Sequence, residues 1–468
     1  MLPEDAILYR DEDLRTYECD GLTVYRGMPL AVVFPHSTEE VSEVVKLLHK
    51  HEIPFIPRGA GTGLSGGATP YGGEVIISLV RMKGLLSVDY ENREAVVQPG
   101  YINLKLSNSI SHRGYYYAPD PSSQACCTIG GNVAENAGGA TVNTEQRIIF
   151  SVLRLSCMTV KYLELDGAPD MPGYDLLGLL TGSEGTLAIV TSITVRILKN
   201  PEAKETALAY FDTVDDACQA VSDIISAGIV PAAIEMMDEI AIVGVEAATK
   251  PVGHPEGLKA VLIMEVDGIG AGITSQIEEM VAVCKQNHVT EIKVAKNNVE
   301  RGKWWANRKT AFGAMGAISP DYLVQDGVIP RSDLMEVLQD IQKISDESGL
   351  RIANVFHAGD GNLHPLILFD ARNEGETELA IDVGSRTLAA CTAVGGSITG
   401  EHGVGIEKKE DMRLVFTDEE IERQLRVRSV FNPNNRLNPD KQFPKPARCG
   451  EVKRAVGSGE AWSVASHS

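Results

Sequence analysis

The feature that most constrains the fold is a glycine-rich stretch, Pro57-Arg58-Gly59-Ala60-Gly61-Thr62-Gly63-Leu64-Ser65-Gly66-Gly67, which follows the apolar run at 53–56. Glycine lets the backbone adopt positive φ and approach a ligand closely. Successive exposed N–H groups in such a loop form a concave site for an anion, most often a phosphate. The stretch therefore predicts a phosphate-binding loop that follows a short strand.

The same stretch contains a formal G-x-G-x-x-G at Gly61, Gly63 and Gly66. A nicotinamide-binding turn with this motif must open a helix. Here the loop runs into 68–73, where Pro70 and paired glycines prevent a regular helix, and then into an apolar run at 74–79. The pattern predicts a strand–loop–strand cradle, and the alternative is a plain glycine-rich hairpin.

Composition excludes several classes of protein. The chain has 468 residues, 43% hydrophobic and 23% charged, which is typical of a globular protein with two or more domains. Its formal net charge of −21 argues against nucleic acid and anionic lipid as partners. No run approaches the roughly 20 apolar residues of a membrane span, and the acidic N-terminus has no signal-peptide core. Eight cysteines without a C-x-x-C predict reduced thiols in the cytoplasm.

Two further small-residue regions follow in the first half of the chain. One spans 118–124 and 128–139, with Gly130-Gly131 and Gly138-Gly139 around a short polar helix. The other spans 181–191 and leads into an alternating strand. Either region alone is compatible with an ordinary loop. Three such loops within about 200 residues, the size of one domain, favour a large polar ligand.

The sharpest chemical pattern lies in the second half. His357 and His364 flank a tight Asp-Gly turn, and Glu401-His402 follows in a second glycine-rich cluster. Two imidazoles and one carboxylate form a three-ligand set with open positions, which is typical of a catalytic divalent metal. The alternative is three satisfied polar residues in loops. Arg308, in the run 304–309, is a candidate for binding a carboxylate, or else a surface arginine on a helix.

The order of these motifs, over roughly residues 30–445, resembles the flavoproteins of the vanillyl-alcohol-oxidase type. It is most similar to the FAD subunits of bacterial glycolate oxidases and to D-lactate and D-2-hydroxyglutarate dehydrogenases. The resemblance implies an α+β fold with a two-part FAD-binding domain and an α+β cap domain that contains an antiparallel sheet. We predict an FAD domain over 1–204 (core about 30–200), a cap domain over 205–420, a return to the FAD domain over 421–446 and a flexible tail over 447–468.

The resemblance also assigns residues to the site. A divalent ion (Zn, Mn or Fe) would be held by His357, His364 and Glu401. By the same resemblance Arg308 would clamp the substrate carboxylate. From the chemistry, an imidazole suits the role of base, and we expect His402, next to Glu401, to take it. The residues expected to contact FAD are Pro57, Arg58, Gly59, Ala60, Gly61, Thr62, Gly63, Leu64, Ser65, Pro119, Ser123, Gly130, Gly131, Asn132, Glu184, Gly185, Thr186, Ile189, Val190 and Asn438.

This set suits the oxidation of a small 2-hydroxy acid. The hydroxyl would bind the metal, a histidine would accept its proton, and flavin N5 would accept the hydride. D-2-hydroxyglutarate enzymes carry a lysine and an asparagine for the distal carboxylate. The matching positions here are Val324 and Leu366, which favours glycolate or D-lactate.

The onward electron acceptor must come from outside this chain. No cysteine cluster suits an iron–sulfur centre, which predicts an iron–sulfur partner subunit or a quinone as acceptor. The expected location is the cytoplasm, including the inner face of the membrane through a partner. Two rival functions stay open, a flavin-poor scaffold subunit of a glycolate oxidase complex and a flavin-independent metal hydrolase.

Residues 140–167 depart from the family pattern. Relatives follow the glycine pair with something like Val-His-Cys-Leu-Lys-Tyr-Gly, whereas this chain continues with Ala140-Thr141-Val142. The neighbouring reading frame can encode His-Cys at this point. We hypothesise that about 140–167 are frame-shifted, with consequences for FAD affinity; the alternative is a divergent loop.

Overall fold

The computed structural model of the chain describes residues 2–139, 150–156, 163–166, 173–248 and 251–445. Within them the strands are β1 (Ile7–Leu8), β2 (Ala31–Val33), β3 (Phe55–Arg58), β4 (Val75–Ser78), β5 (Leu85–Asp89), β6 (Glu94–Val97), β7 (Tyr115–Tyr116), β8 (Phe150–Ser156), β9 (Leu163–Asp166), β10 (Ile189–Arg196), β11 (Leu198–Lys199), β12 (Ala203–Phe211), β13 (Ala233–Asp238), β14 (Ala260–Gly268), β15 (Glu291–Val294), β16 (Asp321–Val324), β17 (Ile352–His357) and β18 (Pro365–Phe369).

The α-helices of the same residues are α1 (Asp11–Leu14), α2 (Thr38–Lys50), α3 (Asn103–Ile110), α4 (Ile129–Glu135), α5 (Leu176–Leu180), α6 (Val214–Ser226), α7 (Glu239–Ala247), α8 (Gly270–Gln286), α9 (Asn298–Lys309), α10 (Ala311–Ala314), α11 (Leu334–Ser348), α12 (Glu376–Ala393) and α13 (Asp418–Phe431).

The first half contains a four-stranded sheet of order β1-β2-β4-β3 and a five-stranded sheet of order β5-β6-β10-β8-β9. Helix α2 leads into β3. Its N-cap Ser37 accepts a hydrogen bond from the Glu40 amide at 3.2 Å, and its apolar face packs Val41 and Val45 against Phe55.

Strands β3 and β4 confirm the predicted strand–loop–strand arrangement and exclude the hairpin alternative. They pair in parallel, with Phe55 opposite Val75 and Arg58 opposite Ser78. A hairpin joins antiparallel strands through a short turn, whereas this connection must carry the chain back along the full length of the pair. The glycine-rich stretch therefore forms a wide crossover loop at the end of β3.

The second half is organised on a seven-stranded antiparallel sheet of order β15-β12-β14-β13-β17-β18-β16. Alternate residues of β12 enter two separate cores. Ala209 and Phe211 pack with helices α6 and α8, while Leu208 and Tyr210 pack with α7 and α9. Helices therefore cover both faces of the sheet.

After α13 the chain contacts the first sheet again. The Phe55 amide donates to the Arg436 carbonyl and the Asn438 amide donates to the Phe55 carbonyl, both at 2.8 Å. Residues 436–438 thus extend the free edge of β3. The predicted domain limits, including the return over 421–446, stay a prediction.

Two sequence-based expectations concern residues that the structure does not describe. The tail at 447–468 lies outside the described residues. So does most of 140–167, of which only the backbone paths of β8 and β9 are described. The frame-shift hypothesis therefore stays a hypothesis. Across the described ranges, no helix is long and apolar enough to cross a membrane.

Candidate active site

Arg58 stabilises the glycine-rich crossover loop to which it belongs. The Arg58 guanidinium is buried and donates to the carbonyls of Ala68 and Cys19, at 3.0 and 2.8 Å. Gly61 has φ +71°, and a Cβ on it would collide with that guanidinium. The loop can therefore present its backbone to a ligand only with glycine at position 61.

The other two small-residue loops lie beside the first. Gly59 packs so closely on Thr128, the N-cap of α4, that a Cβ there would strike its hydroxyl. The turn at 184–185 has positive φ at both residues and packs on Pro57. The three loops predicted from the sequence thus form one surface.

The two histidines and the glutamate converge as predicted. Oε1 of Glu401 lies 3.3 Å from Nε2 of His357 and 3.2 Å from Nε2 of His364. Ligands about 2.0–2.1 Å from a tetrahedral ion stand about 3.3 Å from one another. The donor spacing therefore fits one divalent cation.

The opposite ring nitrogens of the two histidines face acceptors. Nδ1 of His357 lies 2.7 Å from Oε1 of Glu235, and Nδ1 of His364 lies 3.4 Å from the Gln325 carbonyl. With an ion bound, these partners would keep the proton on Nδ1 and leave Nε2 free to bind the metal, which is the usual outer arrangement around a metal.

Contacts within this cluster favour the ionised form of Glu401 and the protonated form of His357. Burial opposes ionisation of Glu401, but hydrogen bonds from His357 and His364 outweigh it and lower its pKa well below the ordinary value. Burial likewise opposes protonation of His357, and the Glu235 carboxylate beside it raises its pKa. A carboxylate kept ionised among imidazoles is what a cation requires.

A second set of metal-type donors, Asp326, His364 and His402, shares one histidine with the first. Asp326 is fully buried and already accepts backbone N–H groups from Gly400 and His402. These bonds occupy Oδ2 of Asp326, whereas Oε1 of Glu401 faces His357 and His364 directly, which favours Glu401 as the carboxylate ligand.

His402 stacks on His364 with ring centroids 4.7 Å apart and planes 13° from parallel. Its Nε2 lies 3.8 Å from Oε1 of Glu401, and its buried Nδ1 has no hydrogen-bond partner among the described residues. Burial lowers the pKa of His402 to about 4, partly against the attraction of Asp326. The ring is therefore neutral near pH 7.

Arg308 comes from helix α9 and is buried, which excludes the surface alternative. The helix is fixed to the sheet by the buried carboxylate of Glu265, which accepts from Arg301 at 2.9 Å and from the Trp305 indole at 2.6 Å. One guanidinium nitrogen of Arg308 lies 2.6 Å from Oε2 of Glu235. Its buried Nε has no partner in the described part of the chain.

A single cavity of about 310 Å³ joins the two halves of the site. Its walls include the glycine-rich loop at 57–64 on one side and the convergent polar residues on the other. The predicted residues that line it are Pro57, Arg58, Gly59, Ala60, Gly61, Thr62, Gly63, Leu64, Ser123, Gly130, Gly131, Asn132, Glu184, Gly185, Ile189, Val190, Arg308, His357, His364, Glu401 and His402.

Four further residues predicted to contact FAD are not among those that line the cavity, and their contact with FAD stays a prediction. The Asn438 amide donates to the carbonyls of Gly67 and Glu184, and the Thr186 hydroxyl donates to the Ser183 carbonyl. The carbonyls of Ser65 and Pro119 also accept internal hydrogen bonds. As described, these four residues shape the loops, while their neighbours face the cavity.

Some residues of the site were not singled out from the sequence. Glu235 joins His357 to Arg308 from strand β13, and Asp326 follows β16. Phe312 lines the cavity and meets His364 edge-on, with centroids 5.8 Å apart. The only signal for Glu235 was a charged residue within the otherwise apolar run of β13, because buried carboxylates need partners.

A glycine-lined surface opposite an imidazole–carboxylate cluster suits a flavin-linked oxidoreductase, and the family comparisons give the same class. The family profile "FAD linked oxidases, C-terminal domain" matches residues 200–442 and "FAD binding domain" matches 29–161. Solved structures with the same fold include p-cresol methylhydroxylase, at a TM-score of 0.78 and 16% identity over 94% of each chain.

Curated relatives define the family more narrowly. Glycolate oxidase subunit GlcD of Escherichia coli (strain K12) is 44% identical over 96% of this chain and 91% of its own length. Its namesake in Bacillus subtilis (strain 168) is 36% identical over 92% and 93%. D-lactate dehydrogenase of Anaerostipes hadrus is 30% identical over 93% and 94%. The chain belongs to this family of FAD-linked oxidases, which confirms the predicted fold, cofactor class and enzyme class.

Proposed function

We propose that the protein oxidises a small 2-hydroxy acid, glycolate or D-lactate, to the 2-oxo acid. The observation that carries the proposal is the single cavity whose walls hold both the glycine-rich loop and the cluster of Arg308, His357 and Glu401. Relatives named as a glycolate oxidase subunit and as D-lactate dehydrogenases support the same substrate class.

The loops of the first half would hold FAD, which when bound accepts the substrate hydride and its two electrons. His357, His364 and Glu401 would hold a divalent cation, which when bound lowers the pKa of the substrate hydroxyl and fixes its orientation. The fit of the donors is seen in their spacing of 3.2–3.3 Å.

His402 is the proposed base. It lines the same cavity, and its unpartnered Nδ1 marks it as a ring with unused hydrogen-bonding capacity. Its stacking on His364 keeps it next to the metal ligands. In this role the neutral ring accepts the hydroxyl proton of the substrate as the hydride leaves.

Arg308 is the proposed carboxylate clamp. Glu235 holds one edge of the guanidinium, while the unpartnered Nε leaves donor capacity for a substrate. Because the group is buried, a charge-assisted hydrogen bond there is stronger than one in water. The same glutamate orients His357, so Glu235 would hold both Arg308 and His357 in position.

The substrate should carry one carboxylate. Val324 and Leu366 lie opposite each other on strands β16 and β18 and are buried in an apolar cluster. Neither residue is among those that line the described cavity, so the preference for one carboxylate rests on the sequence match at these positions, where a buried second carboxylate would stay unpaired. Electrons would leave the flavin for an iron–sulfur partner subunit or a quinone.

The decisive experiment is dye-linked oxidation of a panel of 2-hydroxy acids by the full chain, with a flavin absorbance spectrum, before and after chelation. We expect turnover of glycolate or D-lactate, bound flavin and loss of activity on chelation. Protein without flavin absorbance would favour the scaffold alternative. Hydrolysis without a redox dye would favour the metal hydrolase.

A further inference from the structure

The segment that carries Glu401 and His402 is held almost entirely through its backbone amides. We define it as the linking segment, residues 399–407. At its start the N–H groups of Gly400 and His402 donate to Oδ2 of Asp326 at 2.9 and 2.8 Å, and the intervening amide donates to the same oxygen at 3.1 Å. Asp326 is fully buried and belongs to the seven-stranded half of the molecule.

The end of the linking segment is held by the flavin-side half. The amides of Val404 and Gly405 donate to the two carboxylate oxygens of Glu184, each at 2.7 Å. The amides of Ile406 and Glu407 donate to the Ser65 carbonyl at 2.9 and 3.2 Å. Ser65 closes the glycine-rich loop, so the metal-ligand segment and the flavin loop share hydrogen bonds.

Gly403 lies between the two carboxylate contacts. Its φ is +78°, and a Cβ on it would collide with the carboxylate of Glu135 and lie 2.9 Å from Cδ of Glu184. The turn can therefore be made only by glycine, and it brings the backbone directly onto Glu184. Two buried carboxylates, one from each half, then bind the amides on either side of it.

Glu184 is itself fixed. It has φ +53°, its carbonyl accepts from the Asn438 amide at 2.8 Å, and its N–H donates to the Ala134 carbonyl at 2.8 Å. Since both carboxylate oxygens already accept backbone amides, the side chain is committed to the linking segment. Glu184 also lines the cavity, but both of its carboxylate oxygens are used by the linking segment.

We propose that Asp326 and Glu184 are positioning residues that fix the linking segment from opposite halves and so direct Glu401 and His402 towards the flavin. The inference rests on the proposed function for the roles of Glu401 and His402. A carboxylate is required at each position because it only accepts hydrogen bonds. At Glu184, where each oxygen accepts one amide, an isosteric amide would turn its NH2 group towards a backbone N–H and leave that donor unpaired. At Asp326, where one oxygen accepts three amides, the amide would remove the charge that strengthens these hydrogen bonds.

The test uses the full FAD-loaded chain and the variants Glu184→Gln and Asp326→Asn. Glu74→Gln is the matched control, because Glu74 is a buried carboxylate that accepts the consecutive amides of Tyr71 and Gly72 outside the cavity. Hydrogen–deuterium exchange of peptides covering 399–407 is the first readout. Mn²⁺ affinity by calorimetry is the second, and kcat and KM with glycolate are the third.

We expect both site variants to accelerate exchange within 399–407 at least tenfold and to weaken Mn²⁺ binding by about 10–100-fold, the usual effect of losing a partner behind a metal ligand. We expect a fall in kcat with flavin absorbance retained. Glu74→Gln should change neither exchange in this segment nor Mn²⁺ binding.

Wild-type exchange and Mn²⁺ affinity in Glu184→Gln would overturn the proposal, as would equal losses in Glu74→Gln. If the amide variants do not fold, Glu184→Asp and Asp326→Glu replace them. These acids keep both oxygens but move them, so exchange should accelerate to a smaller degree, and unchanged exchange would overturn the proposal. The exchange measurement does not depend on catalysis. A wild-type chain that oxidises no 2-hydroxy acid would therefore refute the proposed function, while the exchange rates would still decide whether Asp326 and Glu184 fix the linking segment.

Discussion

Oε1 of Glu401 lies 3.3 Å from Nε2 of His357, although 44 positions separate the two residues in the chain. The same oxygen lies 3.2 Å from His364. Three donors at this spacing suit a cation, and the amide of a glutamine would replace one anionic oxygen with a donor group. We therefore predict that Glu401→Gln lowers bound metal and turnover at least tenfold, measured by elemental analysis and the dye-linked assay.

The control for that variant is Glu246→Gln. Glu246 is a carboxylate 4.0 Å from His254, and it also accepts backbone amides, but it is outside the cavity lining. This variant should keep wild-type metal content. Full metal content in Glu401→Gln would contradict the assignment of Glu401 as a ligand.

Arg308→Lys should raise KM for the 2-hydroxy acid by about 10–100-fold, because lysine keeps the charge but loses the planar fork, and a hydrogen bond to a charged group contributes about 1.5–3 kcal/mol. Steady-state kinetics measure the change. Arg372→Lys, at an exposed arginine that pairs with Asp370 outside the cavity lining, is the control and should leave KM unchanged. An unchanged KM in Arg308→Lys would refute the carboxylate clamp.

Gly61→Ala should lower the FAD content of the purified protein. Its positive φ is strained for alanine, and the added Cβ would collide with the Arg58 guanidinium that holds the loop. The ratio of flavin to protein absorbance measures the effect. Gly302→Ala, in helix α9 with no atom within 4 Å of the added carbon, should retain full flavin; equal flavin in both variants would count against the loop's role.

Glu407→Gln should change how stability depends on pH. Burial raises the pKa of Glu407 from 4.5 to about 8, opposed by Lys408 and by a hydrogen bond from Gln325, and assisted by Asp411 and Asp326. Between pH 4.5 and 8 the folded chain therefore binds a proton that the unfolded chain has lost, so this residue's contribution to stability falls as pH rises.

The glutamine variant removes that fall. Thermal midpoints should be similar near pH 4.5, while at pH 8 the variant should be more stable by a free energy on the order of a few kcal/mol. Thermal unfolding across this pH range measures the difference. A variant less stable than the wild type at pH 8 would show that the ionised carboxylate is stabilised by its neighbours.

Local pattern was sufficient for several elements. Pro70 with its neighbouring glycines ruled out a nucleotide-binding helix after the loop, and strand β4 follows there instead. His357 and His364 could be paired from their seven-residue spacing across a turn. Each of these features depends on backbone preferences or on near neighbours, which a sequence displays directly.

Other relationships depend on chain segments that only folding brings together. Asp326 and Glu184 bind one backbone segment from opposite halves, and Glu235 joins Arg308 to His357 across strands. Every residue except proline has a backbone N–H, so a side chain that accepts from one is not marked by any sequence motif. The sequence determined which chemistry this protein can carry. The tertiary structure decided which carboxylates face the cavity and which bind the chain itself, because that choice depends on what each one meets once water is excluded.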